Sequence, residues 1–426
     1  MASKTVTRKE TMTIAVDRAA RNSHSGFLEA GISLIAKRGI DNITVADISK
    51  ASGFTRATFY SYFGDLDGLY AEIWMLHGRL WLESLAKDNL PYKSEADQLR
   101  CFAVLEIFIA SKRKPAVLEV VTPTVSNWWN DSVSENKADQ ARLAWIVAGN
   151  IGIAISKHLA PSITNVKEII ALLRQMPSDP AVLEAMGLAP TPKTAPLQAV
   201  LRPLEVPEQT DEERIKTSTI EVVASAGVAD ASMTRIARNL QVTTGSVYPR
   251  FKNVSEIIGE AFNWGQKTIV EENTAAYATT NSNPDSYAAI IVGANAESRK
   301  VWRDFRLEMY LASRVRESLS KAMIPGLVEA DTLLATFARK NNLPERHIDQ
   351  IVGLMHALGL GFPALQNAGI DVQGIEHRIL TRYLVSVMNI LKSSGVAASE
   401  FDHRIAARSV VPVIGNGDRS TTSAAS

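Results

Sequence analysis

A stretch of 47 residues occurs twice in this chain, and that repetition constrains the fold more tightly than any bulk property. Residues 27–73, moved forward by 188 positions, fall on residues 215–261 without a gap. Apolar positions then meet apolar positions: Leu34 with Val222, Ile35 with Val223, Ile48 with Ile236, Phe54 with Val242, Phe63 with Phe251. Ala36 meets Ala224, Gly39 meets Gly227 and Tyr60 meets Tyr248. Few positions are identical, so the punctuation carries the argument. The first N–H groups of a helix have no partner within it, and a side-chain oxygen just before the helix supplies one. Thr44 and Ser232, Thr55 and Thr243, Asp65 and Asn253 stand in register at such positions.

Each copy opens on an amphipathic helix, with apolar Phe27, Leu28, Leu34 and Ile35 in the first and Ile215, Ile220, Val222 and Val223 in the second. Gly39 and Gly227 stop it, glycine being favoured where the chain turns left-handed. The caps then predict a second helix over 45–52 or 233–240, a third over 56–62 or 244–250, and a fourth opening at Leu66 or Val254. Two short helices around a tight turn make a helix-turn-helix, whose latter helix enters the DNA major groove.

On these residues a resemblance rests. Residues 44–63 (TVADISKASGFTRATFYSYF) and 232–251 (SMTRIARNLQVTTGSVYPRF) resemble the DNA-reading head of the tetracycline-repressor (TetR) family. An ordinary member has one head and dimerises; this chain resembles two members fused head to tail. The resemblance implies an all-α fold of two halves, each a three-helix head with a helical regulatory domain behind it, arranged as an intramolecular pseudo-dimer. The partners it implies are double-stranded operator DNA and a small-molecule effector of unknown identity. Where the family commonly opens the fourth helix with a phosphate-binding lysine, this sequence has Leu66 and Val254, with Lys252 close to the latter.

In a helix-turn-helix the N-terminal part of the recognition helix reads bases, and flanking groups hold phosphates. Arg56, Ala57 and Thr58 are the expected readers of the first head, and Thr244, Gly245 and Ser246 those of the second. The expected backbone contacts are Thr55, Tyr60 and Tyr62 in one head, and Thr243, Tyr248, Arg250 and Lys252 in the other, with the caps Thr44 and Ser232 beside them. Phe59, Phe63, Val247 and Phe251 are assigned to the core. Arg235, Arg238, Arg250 and Lys252 have no acidic residue among them, whereas Lys50 and Arg56 share their window with Asp47. The second head is therefore expected to carry more of the salt-dependent affinity.

The rest of the chain is helical in pattern: Leu66–Lys87, 96–113, 117–129, 138–158 and 166–175 after the first head, then 254–277, 286–299, 304–323, 327–340, 346–365 and 375–391 after the second. Residues 1–22 are expected to be a flexible arm, 177–208 a proline-rich linker and 397–426 a disordered tail. The expected domains are then 23–70 and 209–258 for the heads, with 71–176 and 259–396 for the regulatory parts. Gly149 and Gly152, and Gly359 and Gly361, are placed for close helix approach between the halves. Effector-lining candidates are Trp74, His77, Trp128 and Trp129 in the first half, and Trp302, Phe305, Met309, Tyr310, Met355, His356 and Phe362 in the second.

Composition narrows the rest. Hydrophobic residues at 46% and charged residues at 21% describe a globular chain with ample core, and no run reaches the roughly 18–20 apolar residues of a membrane span. No apolar core follows Lys4, Arg8, Lys9, Arg18 and Arg21, so no secretory peptide is expected. Cys101 is the single cysteine, which excludes an internal disulfide and suits a bacterial cytoplasm. No cofactor and no metal are expected, since His77 and His356 lack a partner at ligand spacing, and no catalytic motif is present. The expected function is a ligand-responsive repressor reading an asymmetric or imperfectly palindromic operator with two unlike recognition helices. Its rival is a ligand-binding or protein-interaction module with vestigial heads.

Overall fold

The computed structural model describes residues 8–87, 94–159, 166–189, 210–278, 284–340 and 345–393, and every regular element among them is helical. The first head comprises α1 (Arg8–Arg38), α2 (Val45–Ser52) and α3 (Arg56–Phe63). Behind it come α4 (Leu66–Lys87), α5 (Glu95–Ala110), α6 (Pro115–Ser132), α7 (Lys137–Ser156), α8 (Val166–Arg174) and α9 (Pro180–Ala185). The second head is α10 (Asp211–Ala226), α11 (Met233–Asn239) and α12 (Thr244–Val247). It leads into α13 (Val254–Ala278), α14 (Pro284–Ala294), α15 (Lys300–Ser313), α16 (Glu317–Lys340), α17 (Glu345–Asn367) and α18 (His377–Ser393). No described helix is long and apolar enough to cross a membrane.

Three differences from the sequence reading have physical causes, two local and one long-range. The expected arm is helical from Arg8 onward, because no proline or glycine interrupts residues 8–25 and the helix runs on into the head. The linker holds the short α9: Pro180 occupies a first-turn position, where its missing N–H is no loss, and the Asp179 carboxylate accepts from the Ala181 N–H at 2.9 Å. Residues 190–209 and the expected tail lie outside the described residues. The break expected before Leu327 falls instead at residues 314–316, and α16 runs through Pro325. Asn263 of α13 makes this tenable. Its carboxamide donates to the Ala322 carbonyl and accepts from the Gly326 N–H, each at 3.0 Å, bridging two groups that would otherwise bond each other.

The centre of the molecule is the crossing of α7 and α17. A Cβ on Gly152 would lie 2.1 Å from the Ala357 carbonyl oxygen, and one on Gly361 would lie 1.8 Å from that of Ala148. The interval of 209 residues that separates Ala148 from Ala357 also separates Gly152 from Gly361, so the contact is reciprocal. Only one glycine of each pair serves it. Gly149 faces Ile170 of α8, and Gly359 faces Arg306 of α15. Trp145 reaches across the junction, its indole N–H donating to His377 Nδ1 at 3.0 Å.

Candidate nucleic-acid interface

In the first head, α2 and α3 are joined through Gly53, which is left-handed at φ 77°. The Thr44 hydroxyl accepts from the Asp47 N–H at 3.2 Å while the Asp47 carboxylate accepts from the Thr44 N–H at 2.9 Å. These bonds from Thr44 hold the Asp47 carboxyl below the usual carboxylate range. The Thr55 hydroxyl accepts from the Thr58 N–H at 3.2 Å and fixes the start of α3. Phe27 anchors the bundle, its ring centroid 5.5 Å from Phe59 and 6.0 Å from Phe63, both buried as expected. The outer face of α3 presents Arg56, Ala57 and Tyr60 to solvent, with Thr58 half-buried behind them. Tyr62 is exposed too, but its hydroxyl is 3.0 Å from Ser23 Oγ, so a phosphate would share it with α1.

The second head repeats the plan with different fastenings. Ser232 Oγ accepts from the Arg235 N–H at 3.2 Å. Gln241, at the position of Gly53, takes the left-handed turn with φ 59°. Thr243 makes no cap bond to the backbone, its hydroxyl lying 3.4 Å from Ser246 Oγ. The recognition helix, predicted over 244–250, ends at Val247. Pro249 has no N–H to continue the ladder, and residues 248–250 form a turn. Gly245, Ser246 and Tyr248 are exposed and Thr244 is half-buried.

The structure also places acids that the sequence window did not contain. Arg250 donates to Asp211 of α10 at 2.7 Å and to the Ser246 carbonyl at 3.0 Å. The Lys252 N–H donates to Glu256 at 2.6 Å, and Arg235 reaches the Asp230 carbonyl at 3.2 Å. The charge of Arg250 is therefore answered within the head, because α10 brings the Asp211 carboxylate to it from 39 residues away. Leu66 and Val254, which open the fourth helix of each copy, are half-buried against the core rather than turned to a phosphate.

Residues 27–73 match the model of the bacterial regulatory proteins, tetR family. Over those residues the first head is similar to a tetR-family domain. Over 109 residues the chain is 29% identical to the HTH-type transcriptional regulator AcrR of Shigella flexneri, a match covering 24% of this chain and 49% of that protein. The chain thus spans about half the length of the curated relative it matches. Among solved structures, a transcriptional regulator from Rhodococcus sp. Rha1 is similar at a TM-score of 0.34 and 16% identity, over 42% of this chain and 97% of that one. A protein from Pseudomonas aeruginosa PAO1 assigned as a transcriptional regulator is similar at a TM-score of 0.36 and 12% identity, over 43% of this chain and 92% of that one.

Behind the tetR-type head and its counterpart, each half grips the opposite head. Lys112, just past α5, donates to the Ala224 carbonyl in the last turn of α10 at 2.8 Å. Arg314, just past α15, donates to the Ala36 carbonyl in the last turn of α1 and to that of Ile35 at 3.3 Å. Ala36 and Ala224 are the same position of the repeat. Carboxylates complete the exchange: Glu106 accepts from Arg314 and from the Ile40 N–H at 2.6 Å, and Glu308 accepts from Arg113 at 2.9 Å. Burial pushes the Glu308 carboxyl up, against the pull of Arg113.

The effector-lining candidates fall into three settings. Trp74, stacked on Phe108 at 5.6 Å, is filled core, as is Trp128, with Trp129 half-buried beside it. His77 lines an open cleft of about 400 Å³ with Leu80, Trp81, Arg100, Cys101 and Val104, where burial lowers the imidazole pKa and raises the thiol to about 11. In the second half Trp302, Phe305, Met309 and Tyr310 are buried around Phe262, and Tyr310 Oη is 2.7 Å from His356 Nε2, with Met355 half-buried nearby in sequence. Phe362 belongs to the junction, 6.2 Å from Trp145. Among the described residues no group of three or more His, Cys, Asp and Glu could hold a metal ion.

Proposed function

We propose that this chain is a DNA-binding transcriptional regulator, a ligand-responsive repressor in which one polypeptide supplies both reading heads as an intramolecular pseudo-dimer. The reciprocal seating of Gly152 on Ala357 and Gly361 on Ala148 carries this reading, because self-complementary contact of equivalent residues is what a two-fold interface requires. The exchange of grips at Ala36 and Ala224 supports it. The readers are Arg56, Ala57 and Thr58 against Thr244, Gly245 and Ser246. They are unlike, so the operator has unlike half-sites centred about 34–36 Å apart, one helical turn. Arg56 is exposed and forms no ion pair with the described residues, leaving its fork available for guanine. Thr55, Tyr60 and Tyr62 hold backbone on one side, and Thr243, Tyr248, Arg250 and Lys252 on the other. An effector seated among the helices of α4–α8 or α13–α18 shifts the heads, and the regulator performs no catalysis.

Footprinting on DNA upstream of neighbouring genes tests this. Two dissimilar protected half-sites are expected; a perfect inverted repeat would show that two chains each use one head. Arg56→Ala is expected to relax specificity at one position, and Arg250→Ala to weaken binding uniformly and flatten its salt dependence. A second reading has its own support: the four-residue α12 and the uncapped Thr243 favour a second head that no longer reads bases. On that reading Arg56→Ala abolishes specific binding while Arg250→Ala changes nothing.

A further inference from the structure

Helix α15 buries four charged side chains: Arg303, Asp304, Arg306 and Glu308 are 5%, 4%, 8% and 3% exposed. A buried charge is tolerated when it is paired and hydrogen-bonded. The two acids are paired: Asp304 accepts from Lys112 and Lys300 at 2.7 Å each, and Glu308 accepts from Arg113. Arg303 has no ion pair among the described residues, but its guanidinium is hydrogen-bonded to the Ala294 carbonyl at 3.2 Å and to Gln366 Oε1 at 3.2 Å. Arg306 has no carboxylate among the described residues. Its Nη1 is 3.4 Å from the Gly359 carbonyl, its Nε has no partner, and its guanidinium stands beside the Tyr310 hydroxyl.

The surroundings of this cation are those of a recognition site. His356, held neutral by burial with its pKa lowered to about 3, has Nε2 2.7 Å from the Tyr310 hydroxyl, which fixes the phenol oxygen beside Arg306. One turn before Arg306, the Trp302 indole N–H is buried without a partner, and on the facing α13 so is Gln266 Oε1. Phe262, Phe305 and Met309 supply an apolar wall. The first half has no counterpart: an interval of 202 residues relates Glu106 to Glu308 and Ser111 to Ser313, and it places Val104 and Phe108 where Arg306 and Tyr310 stand.

We propose that the cluster of Arg306, Tyr310, Trp302 and Gln266 is the effector site, and that its ligand is an organic monocarboxylate with an apolar or aromatic body. The guanidinium fork takes the carboxylate, the indole N–H donates to it, and the body lies against Phe262 and Phe305. This inference rests on the ligand-responsive reading above. It also gives the signal a direction: Arg314 lies one turn beyond Tyr310 and grips α1 of the opposite head, so the single effector is reported first to the head that holds Arg56.

The test uses the full chain without DNA, so that failure of DNA binding and failure of this site remain separate results. Thermal unfolding and tryptophan emission are followed with benzoate, phenylacetate and hexanoate, each against its uncharged amide. At least one acid is expected to raise Tm by several degrees and perturb Trp302 emission while its amide does neither. Arg306→Met is expected to abolish that response and leave the free protein at least as stable, since it removes a buried charge that no carboxylate balances among the described residues. Tyr310→Phe, which keeps the ring but removes the oxygen that holds the Arg306 fork in place, is expected to weaken the acid about tenfold. The proposal is overturned if no acid binds, if acid and amide act alike, if the response survives Arg306→Met, or if that variant melts far below the parent.

Discussion

In the first head a glycine takes the left-handed turn, a threonine caps the recognition helix, and that helix runs for eight residues; in the second a glutamine takes the same turn, the matching threonine makes no cap bond, and the helix ends after four. The cores differ in the same direction. Phe27, Phe59 and Phe63 are continuous with the main core of the molecule, whereas Ile215, Val222, Ile236, Val247 and Phe251 form a cluster of their own. The comparison teaches that apolar register alone preserves the backbone plan. Precision at the reading surface comes from caps and turn residues, and these have diverged between the copies.

The largest test of how far the heads are equivalent lies in the grips behind them. Glu106→Gln removes a buried carboxylate that serves Arg314 and the Ile40 N–H, and a stability loss of about 3–5 kcal/mol is expected by denaturant unfolding. Glu308→Gln is expected to cost less, because Arg113 keeps Asp41 at 2.6 Å. Equal losses would mean the two grips are interchangeable. Next comes the crossing itself. Gly361→Val forces a side chain into the Ala148 carbonyl and is expected to cost about 1–3 kcal/mol or more. Gly149→Ala meets only the tip of the Ile170 side chain at 3.0 Å and should lower Tm far less.

The all-α architecture and the short helices of both copies of the repeat were legible because apolar period and caps agree locally. Caps at Thr44, Thr55 and Ser232 could be named from residue type alone. What escaped the sequence is set by contacts between distant segments. Asn263 carries α16 through Pro325 from sixty residues away in order of size, and no local signal announces it. Asp211 reaches Arg250 from α10, so a charge count over one window overstated the basic edge of the second head. Gln241 was invisible for another reason: glutamine carries no mark of a left-handed turn, although alignment with Gly53 offered a hint.

That position gives a clean contrast of smaller size. A Cβ on Gly53 would touch nothing within 4 Å, so Gly53→Ala reports backbone conformation alone and is expected to cost about 1–2 kcal/mol. Gln241→Gly relieves the same strain, less the added freedom of the unfolded chain, and is expected to stabilise by a few tenths to about 1 kcal/mol. Opposite signs at equivalent positions would establish that the turn is common to both heads. A loss of stability in Gln241→Gly would show that its side chain holds the second head in some way other than through φ.

The smallest effect separates the two recognition helices themselves. Thr55→Ala deletes the oxygen that accepts the Thr58 N–H and should cost about 1 kcal/mol, read as a lower midpoint in urea with the slope unchanged. Thr243 caps nothing in the free protein, so Thr243→Ala should move that midpoint by no more than a few tenths of a kcal/mol. Its loss should appear instead in DNA affinity, because a hydroxyl that caps no backbone N–H and meets only Ser246 Oγ at 3.4 Å can turn to a phosphate. If Thr243→Ala destabilises the free protein as much as Thr55→Ala does, the second head is capped like the first in solution, and the contrast drawn between them at this residue fails.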